Sequence, residues 1–299
     1  MLTGEGADEG FAGYVWFKIR EAARTLDIGD SFRPSTGISR IARKFAAPTL
    51  SFSEFARIDE MIAGPHAQSI LYNLVATSRT RYYSQGLKER LGDFVAYQDL
   101  VLDLPRLRRW HPLNRSLYLG YKVLLAGLLM TQKGDRVAMA NSVETRYPFL
   151  DEDVIAFASR IHPRWKLHGL TGDKYLLRQA TARILPAEIA QRRKAMFRAP
   201  LAESFLAHPP SFVRDLISPE SLVRTGYFDA GAVKRDCEAL AKGEGKLGTF
   251  TSLGLGGVVA TQLWHHLYLG GGLCELPTLE FPETTAPAAA ARPAPLAVA

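Results

Sequence analysis

The stretch that decides the fold is Thr3-Gly4-Glu5-Gly6-Ala7-Asp8-Glu9-Gly10-Phe11. Two glycines bracket an acidic residue, two more carboxylates follow, and a helical pattern begins. Glycines at the mouth of a helix let a ligand approach the backbone, and the free N–H groups of the first turn point at anions. Carboxylates in the same place suit a divalent cation that bridges to phosphate oxygens. The same residues also read as a plain helix start whose acids complement the dipole. A helix-mouth phosphate site normally follows a buried strand, and only Met1-Leu2-Thr3 precedes this one. The position raises the expectation that the chain is part of something longer.

Working outward, Ala7 to about Leu26 carries Phe11, Tyr14, Val15, Ile19 and Ala22 at helical spacing and reads as one helix. A loop over 27–37 and a short helix over 38–46 follow, then a helix near Phe52 to Met61 and a longer one entered at Pro65. Ser84 to Leu102 reads as helical, broken by Asp103-Leu104-Pro105. Leu113 to Met130 is apolar on most sides and is expected to be buried. Residues 131–150 read as a polar loop with a short helical piece. Asp151 starts a helix to Ile161, Asp173 to Ile184 is another, and short helices cover 200–206, 212–217 and 232–241. Phe250 to Tyr268 is the last long helix, ended by Gly270-Gly271-Gly272. No period-2 strand and no internal repeat is evident, so the fold class is mainly α. The chain divides into a folded part, 1–270, and a Pro/Ala-rich tail, 271–299, expected to be disordered.

Of 299 residues, 47% are hydrophobic and 22% charged, which suits a globular protein with a sizeable core. Cys237 and Cys274 form neither a metal spacing nor a disulfide framework, so a cytoplasmic setting is the default. The longest apolar run, around Val123 to Met130, is far short of a bilayer span, and no signal peptide is visible. The net charge of +7 is spread out rather than blocked. It reads as a solvated basic surface or as provision for phosphate-bearing substrates, with nucleic acid the weakest of the three readings.

Two further stretches concentrate functional residue types. Asp135-Arg136 through Asn141-Ser142-Val143-Glu144-Thr145-Arg146-Tyr147-Pro148-Phe149-Leu150-Asp151 interleaves charged and apolar residues without periodicity. It must satisfy its charges in a pocket or through pairs such as Asp135 or Glu144 with Arg146. Arg192-Arg193-Lys194-Ala195-Met196-Phe197-Arg198 follows a helix stopper. It is either a solvated basic turn or a loop that closes over phosphates.

Taken together, with Lys174-Tyr175-Leu176-Leu177-Arg178 between them, these motifs resemble the synthetase domain of glutamine-dependent asparagine synthetases, within the wider asparagine synthase and β-lactam synthetase group. The resemblance covers roughly residues 1–268. It implies the helical remainder of an α/β, adenine-nucleotide alpha hydrolase-like (ATP pyrophosphatase) domain with little or no sheet. It implies ATP and Mg²⁺, activation of the aspartate carboxylate as an acyl-adenylate, and displacement of AMP by ammonia from glutamine. By resemblance Thr3 and Gly4 contact ATP through the backbone and Asp8 holds Mg²⁺ on the pyrophosphate. Glu5 serves intermediate formation and proton handling, and Lys194 stabilises charge on the α-phosphate and leaving group. Glu144 and Lys174 serve pocket structure and phosphate neutralisation. A Glu at position 5, where β-lactam-forming relatives carry Tyr, favours amide formation. The family's glutaminase domain and its Ser-Gly-Gly-x-Asp-Ser pyrophosphate loop do not occur in the sequence. The expectations are therefore a fragment inactive alone, one half of a split amidotransferase whose missing half comes in cis or in trans, or a non-catalytic helical interaction protein. Neither nucleic acid nor membrane is expected as a partner.

Overall fold

The computed structural model describes residues 1–26, 52–64, 67, 75–76, 78–169, 172–195, 205–242 and 248–277. Among them the fold is carried by helices, as the sequence predicts. β-Pairing is confined to isolated bridges: Leu2 with Arg146 in parallel, and Tyr83 with Phe228 and His168 with Gly172 antiparallel.

The predicted helix from Ala7 to Leu26 is two helices, α1 (Ala7–Phe11) and α2 (Val15–Leu26). Ala12 turns left-handed at φ 60° between them. The residue after it is glycine for a steric reason. A Cβ on Gly13 would lie 1.9 Å from Asp8 Oδ1 and 2.2 Å from Lys174 Cε. A side chain here would collide with both groups, and the apolar spacing carries no trace of that constraint.

Helix α3 spans Phe52–Met61. The helix predicted over 84–102 is shorter: α4 is Gln85–Leu91, with Ser84 Oγ accepting from Leu87 N–H at 3.0 Å. Gly92, at φ +50°, ends it, and a 3₁₀ turn covers Ala96–Asp99. Asp103-Leu104-Pro105 does not end a helix; it starts α5 (Leu104–Arg108). Asp103 Oδ1 accepts from Arg106 N–H at 3.0 Å and the proline sits in the first turn, where its missing N–H costs nothing.

The expected buried helix over 113–130 is α6 (Pro112–Leu119), continuing in wider, π-type turns over Gly120–Asp135 into α7 (Arg136–Ala140). Leu113, Leu117, Leu119 and Leu125 are buried, but Leu128 is 38% exposed. Wider turns rotate each residue less, so the leucine row drifts off the core-facing side. The predicted loop over 131–150 shrinks accordingly to 141–147, before a 3₁₀ turn at Pro148–Leu150.

Asp151 caps α8 (Glu152–Arg160) as expected, accepting from Asp153 N–H at 3.0 Å. Then come α9 (Pro163–Lys166), α10 (Tyr175–Thr181), α11 (Ala187–Ala190), α12 (Ser211–Leu216), α13 (Pro219–Thr225) and α14 (Ala230–Ala241). The last, α15 (Thr249–His265), runs on in π-type turns to Gly270 and stops where Gly271 takes φ +61°. The loop over 27–37, the helix over 38–46, most of the helix entered at Pro65, most of the helix over 200–206 and the tail from 278 lie outside the described residues.

Three apolar clusters organise these helices. The largest gathers Tyr82, Val213, Leu222, Leu255 and Val258 under α12–α15. A second packs Ala12, Tyr14 and Phe17 against Leu113 and Leu117 of α6. A third joins Ile58 and Ile62 to Val95, Tyr97 and Leu119. The second seats α1 and with it the site.

Candidate functional site

The first three residues and the second motif lie side by side. Thr3 N–H donates to the Arg146 carbonyl at 3.0 Å, and Arg146 N–H donates to the Met1 carbonyl at 2.8 Å. A few residues on, Gly6 takes φ +90°, and a Cβ there would sit 2.3 Å from Leu150 Cδ2. The chain passes this close only because the residue is glycine. Phe11 closes the other end against Phe149, ring edge to face at 6.2 Å. Residues separated by some 140 positions thereby fix the direction of α1.

On that short helix Asp8 points outward and Glu9 inward. Asp8 collects two lysines from distant segments: Lys174 Nζ lies 2.9 Å from Oδ1, and Lys194 Nζ lies 2.8 Å from Oδ2. All three side chains are mostly buried, at 13%, 18% and 28% exposure for Asp8, Lys174 and Lys194. Lys174 reaches this position in the left-handed region, at φ 47°, while its N–H donates to the Phe11 carbonyl at 3.1 Å. Left-handed backbone on a non-glycine residue costs on the order of 1 kcal/mol or more, and such strain gathers at working sites. Lys194 also lies over the Tyr14 ring, 5.6 Å from its centroid.

A cavity of about 650 Å³ opens beside this cluster. Lys174, Arg192, Arg193 and Lys194 line it above an apolar floor that includes Phe149, Leu177 and Ile189. Arg178, also on its wall, is neutralised by Asp173, whose second oxygen pairs with Lys18. Burial pushes the Asp173 carboxyl up, but hydrogen bonds from Lys18 and Arg178 outweigh it and hold the pKa below the usual carboxylate value. Lys174, Arg192, Arg193 and Lys194 therefore line the cavity, with Asp8 paired to two of them from beside it, an imbalance suited to a polyanion.

The predicted site residues divide into two groups. Asp8, Lys174 and Lys194 meet directly. Thr3, Gly4 and Glu5 form the turn entering α1, with Thr3 Oγ1 accepting from Glu5 N–H at 3.4 Å. Glu5 is near enough for its charge to act on Glu9 and Tyr14. Gly4 has open space over its Cα. Thr3 has already given its N–H to Arg146. Glu144 lies beside the first residues; its carbonyl accepts from the Met1 ammonium at 2.6 Å, and its exposed carboxylate pairs with Arg146, as the sequence predicts. Asp135 instead accepts from Tyr147 O–H at 2.9 Å.

Sequence reasoning missed Glu9. It is fully buried, Tyr14 O–H donates to its Oε1 at 2.7 Å, and its Oε2 has no hydrogen-bond partner among the described residues. Burial raises its pKa; the Tyr14 hydrogen bond pulls the other way but does not prevail. The signal was available: adjacent acids on a helix point to different sides, and Asp8 cannot face a ligand unless Glu9 faces elsewhere.

Among the described residues no group of three or more His, Cys, Asp or Glu side chains converges as a metal cage. The donor set fits a magnesium ion that arrives with a polyphosphate, since that ion commonly takes one or two carboxylates plus phosphate oxygens. It does not fit one held by protein alone. Neither cysteine is an activated nucleophile: burial pushes Cys237 up to about 11 and raises Cys274 as well. No helix among the described residues is long and apolar enough to cross a membrane.

A family model described as asparagine synthase matches residues 1–266. The chain is 30% identical over 213 residues to a putative asparagine synthetase (glutamine-hydrolysing) of Mycobacterium tuberculosis, covering 67% of this chain and 30% of that protein. It is 27% identical over 227 residues to asparagine synthetase 1 (glutamine-hydrolysing) of Bacillus subtilis, covering 72% and 33%. It is 26% identical over 258 residues to amidase chyE of Penicillium rubens, covering 80% and 38%. The chain thus spans about a third of the length of these relatives. No solved structure matches it.

Proposed function

Because the chain belongs to the asparagine synthase family, we propose that it carries the cationic, pyrophosphate-facing part of a site that amidates a carboxylate at the expense of ATP. The observation that carries this reading is Asp8 held between Lys174 and Lys194 at 2.9 and 2.8 Å, on the rim of a cavity lined by Arg192 and Arg193. When bound, ATP with magnesium supplies a pyrophosphate leaving group. Lys174 and Lys194 would turn from Asp8 to the phosphate oxygens, and Asp8 would take the metal that accompanies them. The ion pairs of the ligand-free chain keep the lysines close to where phosphate charge develops, so little reorganisation is needed. Glu5, at the turn before α1, is the carboxylate proposed to take a proton from the attacking amine.

The acceptor is aspartate or a related small carboxylate. Ammonia would come from glutamine hydrolysed outside these residues, because the pKa of Cys237 and that of Cys274 are both raised, away from an activated thiolate. The open side of the Leu2–Arg146 bridge, where Leu2 is exposed, is where a strand-bearing partner segment, in cis or in trans, would add to the pairing.

The test is calorimetric titration with pyrophosphate, with and without magnesium. Binding that strengthens with magnesium, and that Lys194→Met weakens, is expected. Asp8→Asn separates the roles: without magnesium the freed lysines should bind pyrophosphate more tightly, and the gain from magnesium should vanish. A wild-type chain that binds no pyrophosphate at millimolar concentration would sink the proposal.

A further inference from the structure

The Asp8 cluster depends on a loop, 191–195, reaching back across the molecule to a five-residue helix. Lys194 needs its backbone held from behind, and one side chain does this. Arg178, on α10, is 19% exposed and spends its guanidinium on backbone and carboxylate. Its Nε donates to the Asp173 carbonyl at 2.9 Å and to Asp173 Oδ1 at 3.1 Å. One terminal nitrogen donates to the same Oδ1 at 2.5 Å. The other donates to the carbonyls of Ala190 at 3.1 Å and Arg192 at 2.8 Å.

The two ends of this clamp sit next to the two lysines. Asp173 directly precedes Lys174, and Arg192 lies two residues before Lys194. Asp173 is itself anchored: it is 3% exposed and pairs with Lys18 of α2. One planar group thus ties the segment bearing Lys174 to the segment bearing Lys194, and fixes the span across which both reach Asp8.

We propose that Arg178 is a positioning residue that sets the place of Lys194 at the anion site. It acts through the 190–192 carbonyls, and each of its three nitrogens donates there or to Asp173. The proposal rests on the pyrophosphate-facing reading of the site. Lysine at 178 would keep the charge and lose the function, because one ammonium cannot span a carboxylate and two carbonyls in the fork geometry of a guanidinium.

The experiment uses the full chain with Arg178→Lys, Lys194→Met and the double variant. Trypsin cleavage after Arg192, Arg193 and Lys194 reports on the loop, and titration with magnesium pyrophosphate reports on the site. Arg178→Lys is expected to speed cleavage at these bonds severalfold, and to weaken pyrophosphate about tenfold. In the Lys194→Met background it should cost little more, since the group it positions is gone. Losses that simply add would overturn the proposal in favour of a general structural role or direct phosphate contact. Unchanged cleavage in Arg178→Lys would overturn it as well. Should the wild-type chain bind no pyrophosphate, the function reading fails, and the cleavage arm alone still decides whether Arg178 holds the loop. If Arg178→Lys does not fold, Arg178→Gln, which keeps a donor toward the carbonyls without the charge, enters the same comparison.

Discussion

The helices around Leu222 and the helix around Asp8 are built on opposite terms. In the first region α13 and α14 follow the local rules of helix capping. Ser218 Oγ caps α13 and Asp229 Oδ1 caps α14, accepting from N–H groups at 3.2 and 2.8 Å, and Gly226 closes α13 at φ +69°. Polar groups taken inside are paired. Gln262, fully buried, donates to the Leu216 carbonyl at 3.0 Å and accepts from Thr225 O–H at 2.8 Å. Tyr82 O–H donates to Asp236 at 2.5 Å.

In the second region the rules are broken. Neither α1 nor α10 has a side-chain cap. Ala12 and Lys174 are left-handed, and the buried Glu9 carboxylate keeps an oxygen without a partner among the described residues. Local preference is followed at α13 and α14 and overridden around Asp8, a pattern expected where a site is built for function.

That contrast is sharpest if each region can be damaged alone. Leu222 is 1% exposed at the centre of the largest cluster. Leu222→Ala removes buried methylenes and leaves a cavity, which costs about 2–5 kcal/mol. Urea denaturation should show that loss, while pyrophosphate affinity of the folded fraction stays at the wild-type value. A parallel drop in affinity would mean that the two regions are one cooperative site.

Gly13→Ala makes the converse cut. The added methyl would meet Asp8 Oδ1 at 1.9 Å and Lys174 Cε at 2.2 Å, and the flexible lysine stem can yield where a backbone could not. Stability should fall by about 1–3 kcal/mol, as for a local overpacking. Pyrophosphate affinity should fall about tenfold or more, because a displacement near 1 Å spoils a two-point ion pair. Wild-type affinity in this variant would show that the Asp8–Lys174 contact is incidental.

The two regions also differ in what the sequence disclosed. The helix start at Asp151 and the stop at Gly271 obey chemistry local to a few residues. Even where an end was misplaced, as at Asp103, the capping residue was in plain view. The need for glycine at 13 was not, because part of what excludes a side chain there is Lys174, 161 positions away. Motif order made Asp8, Lys174 and Lys194 legible as candidates through a resemblance. Their meeting on one carboxylate, the Arg178 clamp and the parallel contact of Met1–Thr3 with 144–146 are products of tertiary packing, and spacing cannot encode them. The π-type turns after Leu119 were hidden for a different reason: the leucine row is compatible with an α-helix, and only the wider winding turns Leu128 outward.

The smallest expected effect bears on Glu9, whose orphan Oε2 is the clearest departure from the order seen around Gln262. Burial raises its pKa in the folded chain, against a value near 4.5 when the group is free in water. Between those two values the native state binds a proton that the unfolded chain has released. Stability then falls as pH rises, with a slope set by that proton difference. The contribution is complete below about 4.5 and is lost as pH climbs through the raised native value. Glutamine at position 9 keeps an acceptor for Tyr14 O–H and stays neutral at every pH. Thermal melts of wild type and Glu9→Gln should therefore nearly coincide at pH 4 and separate above pH 5, with the variant the more stable. The separation corresponds to roughly 1.4 kcal/mol for each unit by which the native pKa is raised. Melting curves that stay parallel from pH 4 to 8 would show that Glu9 is ionised in the fold and finds a partner for Oε2. The interior beneath α1 would then be as well satisfied as the one beneath Leu222.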